Sequence, residues 1–328
     1  MKALITGATG FIGSHLAEQL LGRGYDVRAV LRPTSDKKYI QHLPLEYVNG
    51  GFAAPEALRE AVEAVDVIYH VAGVVASKDR KGFFEGNQLA TRNLLEAVRR
   101  YNPELGRFVH VSSQAAVGPS SSPGNPVDES APLKPITTYG ESKAAAEKEV
   151  LEAMKDIPAT IVRPPAVYGP RDVGVYSFFQ MTTKGFSPLI GFDRKLVSLV
   201  HVGDLVRGFI EAGESPRAVG ETYFISSEQF YTWEEVGEVT ARVLGREKAR
   251  FLRVPHSLVF AAAGISGFLG RFQKKPPILD YEKGRDITRA YWICSVKKAT
   301  EHFGYHQQIS LESGVASTIA WYREQGWL

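Results

Sequence analysis

The sequence predicts an α/β fold, a doubly wound parallel sheet with a smaller region interwoven through its C-terminal half. Three observations carry this. Short apolar runs alternate with helix-period segments through the first 165 residues, the pattern of a parallel sheet covered by helices. The runs are almost wholly apolar, as strands are when both faces are buried. Beyond them the alternation loosens, and Gly and Pro become frequent from Pro164 to Pro188.

In chain order, Lys2–Thr6 reads as a strand, Phe11–Arg23 as a helix and Asp26–Leu31 as a strand. Leu45–Val48 is the next strand, and Pro55–Ala64 a helix with proline in its first turn, where a missing N–H costs nothing. Val65–His70 is a strand, Phe83–Tyr101 a long helix and Arg107–Ser112 a strand. Thr138–Met154 is a helix, opened by Thr138 and Glu141 at capping-box spacing and favoured by Ala144, Ala145 and Ala146. Ala159–Arg163 closes the alternating half. Strands return at Leu196–Val202 and Thr222–Ile225, and a helix starts at Thr232, where Glu235 completes a second capping box. The expected organisation is residues 1–165 with return segments at 196–225 as one unit, and 166–195 with 226–328 as the other.

Bulk composition narrows the function. The chain has 328 residues, 39 basic and 36 acidic, for a net charge of +3, which gives no case for nucleic-acid binding. The basic run Arg242–Arg253 reads as a solvated helix face and loop. The single cysteine, Cys294, allows no intrachain disulfide, fits a cytoplasmic setting and reads as a buried structural thiol. The opening MKALITGATGFIGSH is broken by glycines and polar residues too early for a signal peptide. The most apolar later run, Ser257–Leu269, falls short of the roughly 20 residues that span a bilayer. It is expected to be a buried or lid helix in preference to a membrane-surface helix. His70 and His201 sit at strand ends without a second ligand at metal-binding spacing, so both read as structural and no metal is expected.

Between the first strand and first helix runs TGATGFIGSHL, with Gly7, Gly10 and Gly13 spaced G-x-x-G-x-x-G. Glycines there let the backbone turn tightly and approach a pyrophosphate, which the N–H groups of the helix start then satisfy. Thr9, Phe11 and Ile12 belong to the same loop. The whole is a Rossmann-type arrangement for a dinucleotide. The second strand ends at Arg32, where an acidic residue would hold an unmodified ribose. A guanidinium suits a 2′-phosphate, so NADP(H) is favoured, with Asp36 leaving NAD(H) open.

Further segments fall in a familiar order: DVIYHVAG at 66–73, GNQLATRNLLEA at 86–97, VHVSSQAAVG at 109–118, YGESK at 139–143, RPPAVYGP at 163–170 and LVHVGDLV at 199–206. With TGATGFIG and the tail LESGVASTIAWYREQGW, they resemble the extended short-chain dehydrogenase/reductase family, also described as NAD-dependent epimerases/dehydratases. The resemblance implies that Tyr139 is the acid/base and that Lys143 stands beside it on one helical face, as residues four apart do. An adjacent ammonium is expected to draw the phenol toward ionisation. By the same resemblance Ser113 holds the reacting oxygen, with Ser112 the competing assignment. Asn87 supports the site or is a helix-surface residue. Ala72, Gly73, Pro164 and Val167 line the cofactor, which Lys143 and Tyr139 also touch. One departure is Gly50-Gly51-Phe52, where the family commonly has Gly-Asp near the adenine. A homodimer through the helices at 83–101 and 138–154 is implied as well.

Two reactions fit such a site. One is net hydride transfer between a nicotinamide and a ketone or secondary alcohol. The other is a nucleotide-sugar epimerase or dehydratase, in which the hydride returns. The latter often carries an Arg-Asp pair where this chain has Val197 and Ser198, although Arg194 and Lys195 lie nearby. With the apolar run HSLVFAAAGISGFLG, this favours a small, fairly apolar substrate, as in the dihydroflavonol-reductase-like and 3β-hydroxysteroid-dehydrogenase-like branch. A third reading, a non-catalytic NADP(H)-sensing protein, is disfavoured because Ser113, Tyr139 and Lys143 are all present.

Overall fold

Residues buried on both faces make the central strands, and a computed structural model describes how they assemble over residues 1–270 and 279–328. The first half contains β1 (Lys2–Thr6), α1 (Phe11–Gly22), β2 (Asp26–Leu31), β3 (Glu46–Asn49), α2 (Arg59–Val62), β4 (Val67–His70), α3 (Arg80–Phe84), α4 (Ala90–Tyr101), β5 (Arg107–Val111), α5 (Thr138–Ala153) and β6 (Ala159–Arg163). The second half contains β7 (Ala166–Tyr168), α6 (Tyr176–Thr183), β8 (Ser187–Ile190), β9 (Leu196–His201), α7 (Val202–Glu214), β10 (Thr222–Phe224), β11 (Phe230–Tyr231), α8 (Trp233–Val243) and β12 (Phe251–Val254). It ends with α9 (His256–Gly270), α10 (Tyr281–Ile287), β13 (Tyr291–Trp292), α11 (Lys297–Phe303) and α12 (Leu311–Glu324).

The seven-stranded sheet runs β10-β6-β5-β4-β1-β2-β3, and its strand pairs are parallel. The order reverses between β1 and β4, so the crevice at their carboxyl ends is where such a sheet receives a ligand. Side chains on β1 alternate between two cores. Ala3 and Ile5 join Leu16 and Leu20 of α1 and Leu205 and Phe209 of α7. Leu4 joins Leu94 and Val98 of α4 and Val150 of α5. Of the segment 196–225, α7 and β10 pack with the large sheet, whereas β9 pairs with β7, β11 and β13 in a smaller one. Arg171, held at φ 74°, reaches from the second half onto α1, where its guanidinium meets Ser14 Oγ at 3.0 Å and Glu18 at 2.6 Å.

Several local expectations shift. The helix expected at 55–64 is a 3₁₀ turn, Pro55–Leu58, followed by the short α2, and Ala64 at φ 55° takes the chain out of it. The long helix expected from residue 83 starts at Arg80, capped by Asp79, and widens into a π turn over Glu85–Leu89. The side chain that caps α5 is Thr137, not Thr138: its Oγ1 accepts from Gly140 N at 3.1 Å. Thr138 is taken by Glu282, and Glu141 pairs with Arg80. The capping box of Thr232 and Glu235 forms as expected. The apolar run at 257–269 is not wholly buried. It forms α9, which buries Val259 and Ala263 but leaves Leu258 and Ile265 59% and 64% exposed.

Behind the front end of α5 lies a buried ion pair. Glu147 accepts from Arg163 of β6 at 2.9 and 2.7 Å, with both side chains sequestered from water. Losing one partner strands a charge. Glu147→Ala should therefore lower unfolding free energy by about 3–5 kcal/mol in urea denaturation, and a change below about 1 kcal/mol would show that the pair does not anchor α5.

Candidate active site

Glycine geometry builds the nucleotide side. Gly7 sits at φ 75°, and a Cβ there would fall 2.8 Å from Ala72 N, so only glycine lets β1 turn this close to the end of β4. A Cβ on Gly13 would lie 2.2 Å from Gly7 O, which requires glycine where α1 crosses the loop. Gly10 precedes α1 without a side-chain cap, leaving the helix start to an anion. Thr9 lies at the turn, while Phe11 and Ile12 lean on the core beneath it. A dinucleotide pyrophosphate fits this cradle. Arg32 is exposed just past β2, its backbone N–H donating to Ser35 Oγ at 3.1 Å. At the departure after Gly50, Phe52 turns inward to lie 5.9 Å from the His70 ring.

On the other side of the crevice, β5 and α5 bring Ser113, Tyr139 and Lys143 together. Ser113 follows β5, where its Oγ accepts from Ala115 N at 3.1 Å and shares a hydrogen bond with Tyr139. Ser112 is buried with its hydroxyl unpartnered, so of the two serines Ser113 faces the phenol. Lys143 is buried, and its Nζ donates to Val111 O at 2.7 Å. Burial pulls its pKa down to about 8, against the attraction of Glu147 one turn further on. Gly73 opens the space beside it: a Cβ there would stand 3.0 Å from Asn87 Oδ1 and 3.7 Å from Lys143 Nζ. Pro164 accepts from Gln114 N at 2.8 Å, tying the end of β6 to the Ser113 loop, and Val167 lies in β7 opposite Val200.

Tyr139 departs from expectation in one respect. Its phenol is pushed up, not down: burial raises it, the Ser113 hydrogen bond opposes that, and the Asp286 carboxylate adds to the rise. The Lys143 ammonium does not offset this: burial lowers its own proton affinity to about 8, so it is largely neutral before the raised phenol titrates.

Asn87 is buried, not on the helix surface. The π turn points its amide inward, where Oδ1 accepts from Val74 N at 2.8 Å and Nδ2 donates to Val74 O at 3.0 Å and Ser142 Oγ at 2.8 Å. Ser142 in turn donates to Tyr139 O at 2.7 Å. A second chain runs behind it. Thr91 donates to Asn87 O at 2.7 Å, so it must accept from His70 Nε2 at 3.0 Å. Thr6 accepts from Ala72 N at 3.1 Å and donates to His70 Nδ1 at 2.8 Å. The network thus assigns His70 its Nε2–H tautomer, and burial, reinforced by Lys143, holds its pKa down to about 3. His201 caps α7 through Nδ1 at 3.1 Å from Gly203 N. Cys294 is buried, its thiol pushed up to about 12 by that burial.

Residues that spacing did not reveal come from α10. Glu282 accepts from Thr138 N at 2.8 Å and Oγ1 at 2.6 Å, and Asp286 faces the phenol electrostatically. Both are ordinary helix-surface acids in the sequence, some 140 residues from their partners, and only Asp280, which caps α10, hints at the element.

A family model for the NAD dependent epimerase/dehydratase family matches residues 3–226. A ceramide reductase of Caulobacter vibrioides is 30% identical over 326 residues, 99% of this chain and 95% of its own. A sterol demethylase protein B of Methylococcus capsulatus is 31% identical over 342 residues, 99% of each chain. Among solved structures, dTDP-glucose 4,6-dehydratase from Streptomyces venezuelae with NAD bound shares the fold at TM-score 0.79 and 26% identity, over 100% of this chain and 98% of that one.

Lys143 holds its proton less tightly in the fold, near 8, than at its ordinary value of 10.5. Between those values the unfolded chain carries more protons, so stability climbs with pH. Relative to Lys143→Met, wild-type unfolding free energy should rise by about 3 kcal/mol from neutral pH to the top of that window. Urea titrations across it read the effect, and a flat difference would mean that the ammonium carries no burial cost.

Proposed function

The chain belongs to the NAD-dependent epimerase/dehydratase family, the extended short-chain dehydrogenases/reductases, and from that membership we propose an NADPH-dependent reductase of a ketone carried on a small, fairly apolar molecule. Enzymes of this family bind NAD(P). The observation that carries the proposal is the Tyr139 hydroxyl, bonded to Ser113 and one helical turn from Lys143, beside the open backbone of Gly73.

The glycine cradle and the start of α1 would hold the pyrophosphate, Arg32 the 2′-phosphate, and Lys143 the nicotinamide ribose. When bound, NADPH supplies the hydride that adds to the carbonyl carbon. Ser113 and Tyr139 both donate to the carbonyl oxygen, and Tyr139 yields its proton to that oxygen as it becomes an alkoxide. The upward push on Tyr139 keeps it protonated at neutral pH, which suits the reducing direction. Lys143 spends one donor on Val111 O, fixing the ammonium while its other donors stay available toward Gly73.

Diphosphate recognition has little support. Val197 and Ser198 are buried, and Lys195 is committed to Asp193 at 3.0 Å and Thr288 O at 2.7 Å. Only Arg194 remains exposed in that stretch. The two relatives carry the names of a ceramide and a sterol enzyme, which accords with an apolar substrate.

Tyr139→Phe should reduce turnover by about 10²–10⁴-fold and leave NADPH affinity unchanged; a variant that keeps its turnover would refute the acid role. Fluorescence titration should show NADPH binding tighter than NADH, with Arg32→Ala lowering NADPH affinity by about tenfold and sparing NADH. Equal affinities in the wild type would overturn the 2′-phosphate contact. A panel of apolar ketones and nucleotide sugars, followed at the reduced-nicotinamide absorbance, separates the reactions. Product without net cofactor conversion would establish the epimerase reading instead.

A further inference from the structure

A helix without charge does not ordinarily show its apolar residues to water. Yet α9, fifteen residues from His256 to Gly270, contains no Asp, Glu, Lys or Arg. Its inward side packs on α10: Phe260 lies 5.4 Å from Tyr281, and a Cβ on Gly284 would meet the Phe260 ring at 3.3 Å. Its outward side carries Leu258, Ala261, Ala262 and Ile265, all exposed.

This face does not stand alone. Parallel pairing of β12 with β8 brings Phe192, 72% exposed, to the start of α9, where His256 Nε2 lies 3.4 Å from Asp193. Leu252 on β12 is 49% exposed. From Arg242 to Arg253 there are five basic residues (Arg242, Arg246, Lys248, Arg250, Arg253) against the single acid Glu247. Glu234 neutralises Arg253 at 2.9 Å, Arg246 is held by Thr182 O and Thr183 O, and Asp193 and Glu238 also face this side, so the basic side chains left to the corner are Arg242, Lys248 and Arg250. Lys248 and Arg250 are exposed, and Arg250 directly precedes Phe251 and Leu252.

We propose that the corner formed by β8, β12 and α9 docks onto a membrane surface bearing anionic lipid. The apolar side chains enter the acyl boundary, and the flanking lysine and arginine side chains meet the headgroups. Fifteen residues of helix cover roughly 22 Å, too little to cross the hydrocarbon, so α9 lies on the bilayer; no described helix is long and apolar enough to span one. The inner face of α9 rests on the same α10 that carries Glu282 and Asp286 beside Tyr139. Docking would therefore place the active site one helix layer from the lipid, whichever reaction it performs.

Sedimentation of the full-length protein with vesicles tests this without reference to turnover. Binding is expected to vesicles of phosphatidylcholine mixed with phosphatidylglycerol, to weaken on phosphatidylcholine alone, and to fall as salt rises. Lys248→Glu/Arg250→Glu should lower partitioning at least about tenfold, and Leu258→Gln/Ile265→Gln by about tenfold or more. Retained NADPH binding in both variants shows that they are folded. The proposal falls if the wild type ignores the anionic vesicles or if either variant binds them as the wild type does. It also falls if Leu258→Gln/Ile265→Gln halves the mass by light scattering, which would mean that a second copy covers this face.

Discussion

The front of α5 is fastened to the sheet by charged side chains in the interior, and the position of Tyr139 follows from that fastening. Lys143 reaches Val111 on β5 and Glu147 grips Arg163 on β6, one turn apart. Apolar packing alone would let the helix slide or turn by small amounts. Directional bonds to two adjacent strands hold its register and its rotation together. They carry a cost, since an ammonium and a carboxylate are both taken from water, and the depressed proton affinity of Lys143 is a trace of that cost. The geometry that holds the phenol against Ser113 thus rests on groups that would be more comfortable in solvent.

Much of the sheet was legible because burial on both faces writes an unbroken apolar run, and because a glycine loop admits few alternatives when a Cβ would strike neighbouring backbone at Gly7 and Gly13. The Tyr139–Lys143 pairing was legible from helical spacing. The electrostatics were not, because spacing says that two residues share a face without saying how deeply each is buried. Burial raises the phenol and lowers Lys143, so the ammonium is largely lost before the phenol ionises. Spacing pointed to Thr138 as the cap of α5, whereas Thr137 caps it and Thr138 is engaged by Glu282, far away in the chain. Asn87 was ambiguous for a related reason: helical periodicity assumes an α-helix, and the chain departs from one at that residue.

The C-terminal elements connect the site to the surface in a short sequence of contacts. α9 packs on α10, and α10 holds the N-terminal turn of α5 through Glu282. A disturbance at the apolar corner therefore has a route of two helices to the phenol, and Asp286 gives that route an electrostatic end point. Whatever alters the seating of α10 alters both the hold of Glu282 on Thr138 in the first turn of α5 and the field at Tyr139.

The π turn at Glu85–Leu89 has a consequence for comparing chains of unequal length. It adds a residue beyond the α repeat, so Asn87 keeps phase with Val74 and Ser142 while Leu94 and Val98 keep phase with the sheet. Removing a single residue in this stretch would restore a regular helix but rotate one group by about 100° relative to the other. Deletions here are thus penalised by angle and not by lost length.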